Sequence, residues 1–76
     1  MNVTQQEFEF MCHGMNCDLV ALLMEREGMS MPEAFLVLYN SDTYKAYHNP
    51  QTKLFYQAPG YVYSYLENEL KYGKMG

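Results

Sequence analysis

The chain has no tryptophan and few positive charges. Five Lys and Arg stand against nine Asp and Glu, for a net charge of −4. A nucleic-acid binder gains most of its affinity by neutralising phosphates with Lys and Arg. Here Arg26, Lys45, Lys53, Lys71 and Lys74 are scattered, and no two are adjacent. Nucleic acid is therefore disfavoured as a partner, and so is an anionic membrane surface. No apolar run approaches the roughly 18 residues of a membrane span. The first residues, Met1-Asn2-Val3-Thr4-Gln5-Gln6-Glu7, lack the basic start and apolar core of a secretory signal. The expectation is a cytosolic protein whose two cysteines, Cys12 and Cys17, stay reduced.

Reactive constellations are scarce as well. Gly14, Gly28, Gly60, Gly73 and Gly76 are isolated, so there is no glycine-rich phosphate loop. There is no Cys-x-x-Cys pair. Cys12-His13 followed by Cys17 invites a metal or thiol reading, with His48 as a distant fourth ligand. On a helix His13 and Cys17 share a face, whereas Cys12 points elsewhere, and a structural zinc site wants four ligands. Nucleophilic catalysis needs an activated group beside a base. His13 and Cys17 could form such a dyad, but nothing supplies an orienting group or an oxyanion hole. Glu67 and Glu69, two apart on a helix, point in different directions. The reading is not an enzyme, with no catalytic residues, no cofactor and no metal.

What the chain does have is apolar surface. Its 76 residues allow one domain, and 49% of them are hydrophobic, with eight Tyr, four Phe and seven Met. That is too apolar for disorder. A chain this short buries only about 60% of the surface exposed by its unfolded form, so disulfides, a metal or oligomerisation often add stability.

Thr4-Gln5-Gln6-Glu7 reads as a capping box, in which side chains of Thr4 and Glu7 satisfy free backbone N–H groups at a helix start. The apolar segment that follows stops at Gly28, which predicts a first helix over 5–27, weakened by Gly14 at about 1 kcal/mol relative to Ala. Ser30-Met31-Pro32-Glu33 is a second capping box, and its helix runs to about Tyr39. Asn40-Ser41-Asp42 is turn and cap chemistry before a short third helix, 42–48, which ends ahead of Asn49-Pro50. Lys53-Leu54-Phe55-Tyr56-Gln57 is aromatic and short, and reads as an extended segment. Ala58-Pro59-Gly60 opens a last helix, 60–72, ending at Gly73. The expected fold is all-α, a bundle of three or four helices with 53–57 extended before the last one.

The helix faces carry the functional reading. At 100° per residue the first helix has a core stripe of Phe8, Met11, Cys12, Met15, Leu19, Leu22 and Leu23. Its opposite side is also apolar, with Phe10, Cys17, Val20, Ala21 and Met24, and with His13 among them. A helix apolar on two sides is normally buried on two sides. Either the rest of the chain covers both, or one side meets a second copy or another protein. The last helix has a core stripe of Val62, Tyr63, Leu66 and Leu70, with Tyr61, Tyr65 and Tyr72 on a separate stripe. Tyrosine is enriched at interfaces because it buries a large ring while its hydroxyl stays satisfied. The leading expectation is a protein–protein interaction module, a homodimer or an accessory partner protein. Its interface residues are Phe10, His13, Cys17, Val20, Met24, Tyr61, Tyr65 and Tyr72. The alternative is a small helix-turn-helix regulator that reads DNA through the third helix, although that helix offers only Lys45 against Asp42.

The order of features resembles an uncharacterised family of short bacterial helical proteins, of roughly this length. The likeness rests on Phe8-Glu9-Phe10, on Gly28-Met29-Ser30 before a helix carrying Phe35 and Leu38, and on a last helix that reads Tyr61-Val62 and ends in acids. It spans most of the chain. Pro50 and Pro59, around the aromatic loop, depart from it. The resemblance implies a protein-binding role and carries over no catalytic residues.

Overall fold

The computed structural model describes residues 3–75. They form four α-helices and two 3₁₀ turns, with no strand among the described residues: α1 (Gln5–Glu27), α2 (Met31–Tyr39), α3 (Asp42–Tyr47), turns at Pro50–Thr52 and Leu54–Tyr56, and α4 (Pro59–Tyr72). None of these helices is long and apolar enough to cross a membrane.

Local chemistry sets the boundaries. Both capping boxes form: Thr4 Oγ1 accepts from Glu7 N–H at 3.1 Å while the Glu7 carboxylate accepts from Thr4 N–H at 3.0 Å, and Ser30 and Glu33 repeat the exchange. These contacts hold the Glu7 and Glu33 carboxyls below the usual carboxylate range, chiefly through the bonds to Thr4 and Ser30. Gly28 and Gly73 end α1 and α4 with φ of 69° and 80°, the left-handed region glycine enters without a steric cost.

The segment 53–57 is not extended. Lys53 is left-handed, with φ of 59°, and 54–56 closes into a 3₁₀ turn. Thr52 organises the reversal. Its hydroxyl donates to the carbonyls of Ala46 at 2.6 Å and Asn49 at 2.9 Å, and accepts from Leu54 N–H at 3.3 Å. The turn drives Phe55 into the core, where its ring meets Phe8 edge-on at 4.9 Å. A strand would need a neighbour for its backbone groups, and the chain supplies none.

The core runs along α1. Cys12, Met15, Leu19, Val20 and Leu23 pack with Ala34 and Leu38 of α2, Tyr47 of α3, Phe55, and Val62, Tyr63 and Leu66 of α4. Phe8, Met11 and Leu22 sit at the edge of this core, half-buried, and Leu70 is exposed rather than part of the α4 core stripe. Buried polar atoms find partners. The Tyr47 hydroxyl donates to Asn16, the Tyr63 hydroxyl donates to Glu27 at 3.1 Å, and the Cys12 thiol donates to the Tyr47 carbonyl at 3.6 Å. No buried side-chain nitrogen or oxygen among the described residues lacks a partner.

Candidate interaction surface

α2 and α3 decide which part of the second face of α1 remains open. α2 folds back from Gly28 and packs against α1. Val20 is buried in the core and Met24 packs half-buried against it, so Val20 is not on the open surface. Nine residues of α2 rise only about 14 Å, too short to reach the N-terminal half. α3 meets that half on its other flank, at Cys12 and Asn16. Phe10, His13, Gly14, Cys17 and Ala21 therefore stay exposed, and Phe10 keeps 77% of its surface.

The fold is not simply loose at this point. The chain exposes 4933 Å². A folded monomer of 8.9 kDa is expected to expose about 4,800 Å². The core is closed, and the apolar strip on α1 is surplus to it.

Beside the strip lies a shallow groove between α1 and the segment that leads into α4. It has two adjoining parts, of 220 and 420 Å³, which share Asp18 and Pro59. Met11, Gly14 and Phe55 line the first part, and Ala21, Leu22 and Arg26 line the second. The 54–58 segment thus covers the Met11–Met15 flank of α1 and leaves the Phe10–Cys17 strip free.

The tyrosines of α4 divide. Tyr61 is half exposed and Tyr65 half-buried; their rings meet edge-on at 5.4 Å and their hydroxyls bond at 2.8 Å. Tyr72, at 73% exposure, stands apart near the helix end. Sequence reasoning missed Leu36, 65% exposed, and the exposed Met31 and Tyr39. Leu36 lies 160° around α2 from both Ala34 and Leu38, so helical spacing alone could have found it.

The chemistry of the strip is confined to one pair. Cys17 Sγ and His13 Nε2 lie 3.8 Å apart, one turn from each other. Cys12 is buried, and burial, then the Glu9 charge, push its thiol pKa up. His48 does not join them: its ring stacks on Tyr44 at 3.9 Å, and its Nδ1–H donates to the Tyr44 carbonyl at 2.8 Å. No group of three or more His, Cys, Asp or Glu among the described residues could hold a metal ion.

α3, the reader helix of the helix-turn-helix reading, has six residues. Thr43 and Tyr47 are buried, and Asp42 and Lys45 are exposed. A carboxylate from α4 occupies the N–H groups at its start.

No family model, curated protein or solved structure matches this chain.

Proposed function

We propose that the chain is a non-enzymatic protein–protein interaction module that pairs through the outer strip of α1, with a second copy of itself as partner. The observation that carries this reading is Phe10, exposed beside Gly14, Cys17 and Ala21 on a helix whose core face is already filled. An apolar strip left outside a complete core is a feature of protein interfaces. Gly14 and Ala21 leave room for another helix to approach, and Phe10 supplies a large ring to anchor it. The acidic net charge and the small, carboxylate-capped α3 give the DNA-binding alternative less support.

Sedimentation equilibrium at micromolar concentration tests the proposal. The expected result is a dimer that Phe10→Glu returns to a monomer with an unchanged helical circular dichroism spectrum. A wild-type chain that stays monomeric throughout would refute self-pairing.

A further inference from the structure

We infer that His13 and Cys17 form half of a binding site for a zinc-class divalent cation, completed by the same pair from a second copy. The inference rests on the pairing proposed above and adds a ligand to it. The first support is distance. Zinc holds thiolate sulfur at about 2.3 Å and imidazole nitrogen at about 2.05 Å, so two such ligands stand about 3.6 Å apart at the tetrahedral angle. Cys17 Sγ and His13 Nε2 already lie 3.8 Å apart. Both are held on a regular helix, four residues apart, and both face solvent.

The second support is number. One chain offers two ligands, and structural zinc takes four. A twofold axis crossing α1 between residues 13 and 17 would set His13 of each copy opposite Cys17 of the other. The four donors then make a Cys₂His₂ set around one ion on the axis. Gly14 has no side chain to hold the helices apart, and a Cβ placed there meets no atom within 4 Å. Phe10 flanks the pair and would shield the ion from water. On binding, each Cys17 thiol gives its proton to solvent.

The test uses the full chain and zinc chloride. Metal-free protein is titrated while sedimentation velocity reads mass and a competing chromophoric chelator reads stoichiometry. The expected result is one zinc per two chains, a dimer at least tenfold tighter with zinc than in chelator, and loss of Cys17 alkylation on zinc binding. Buried Cys12 is the internal control for alkylation. His13→Ala and Cys17→Ser replace exposed side chains, so the fold should persist while zinc affinity drops at least tenfold. One zinc per chain with no change in mass overturns the inference, and so does no uptake at micromolar zinc. A dimer that forms equally well in chelator and in Cys17→Ser overturns the metal site but leaves pairing through α1 standing. A monomer under every condition refutes both.

Discussion

Glu69 of α4 binds Thr43 of α3 through one carboxylate oxygen, which accepts both the backbone N–H, at 2.6 Å, and the hydroxyl. The other oxygen accepts from Asp42 N–H at 2.8 Å. The first turn of any helix leaves N–H groups without partners, and a negative charge is favourable there. α3 has only six residues and could not persist alone. One side chain therefore completes α3 and fixes where α4 docks.

Glu69→Ala should be among the most destabilising polar substitutions, because two N–H groups and a buried hydroxyl lose their acceptor together. Hydrogen bonds to charged groups contribute about 1.5–3 kcal/mol, and a loss in that range is expected in urea unfolding. Glu69→Gln keeps one acceptor oxygen and should lose less. A change within about 0.5 kcal/mol, the range of ordinary surface substitutions, would show that the contact does not matter.

Lys53 is the only non-glycine residue at positive φ among the described residues. A side chain in the left-handed region costs roughly 1–2 kcal/mol. Glycine avoids that cost and adds entropy to the unfolded chain, which offsets part of the gain. Lys53→Gly should raise stability by about 0.5–1 kcal/mol, read as a higher urea midpoint at constant slope. A lower midpoint would mean that the Lys53 side chain supports the turn in some other way.

The same position shows where the sequence stops being legible. Thr4-Glu7 and Ser30-Glu33 could be read directly, because each cap is closed by residues three apart. The turn at 53–56 could not, because a short aromatic run suits a strand or a turn equally. The Thr52 bonds that decide it become visible only in three dimensions. Glu69 with Thr43, Tyr47 with Asn16 and Tyr63 with Glu27 are all non-local, and their residue types do not announce them. The exposed strip was half legible. Phe10, His13 and Cys17 stayed outside, but Val20 went into the core and Met24 packs half-buried against it, a division set by how the other helices fold back on α1.

Two buried phenols predict how the fold fails in base. Burial is the main cause that pushes the Tyr47 hydroxyl well above its ordinary range, and burial, then the bond to Glu27, push Tyr63 up to about 12. A folded pKa above the unfolded value makes stability fully present below the unfolded pKa, near 10, and removes it as pH rises through the folded one. Unfolding free energy should therefore begin to fall near pH 9, where the buried Cys12 thiol adds its own loss, and fall more steeply from pH 10 through pH 12. Tyr63→Phe should make that alkaline limb shallower. A limb of the same slope in Tyr63→Phe would assign the loss to other groups.

Gly14 separates the needs of the monomer from those of the pair. It lies in the interior of α1, where glycine is less stable than alanine by about 0.5–1 kcal/mol. Its Cβ position is open, so Gly14→Ala should stabilise the monomer by about that amount with no clash. The same methyl would stand between two α1 helices that meet at this strip. The expected outcome is opposite movement of two measurements: a higher urea midpoint at a concentration where the chain is monomeric, and a weaker association constant in sedimentation. If Gly14→Ala instead raised stability and left association untouched, Gly14 would not lie at the contact.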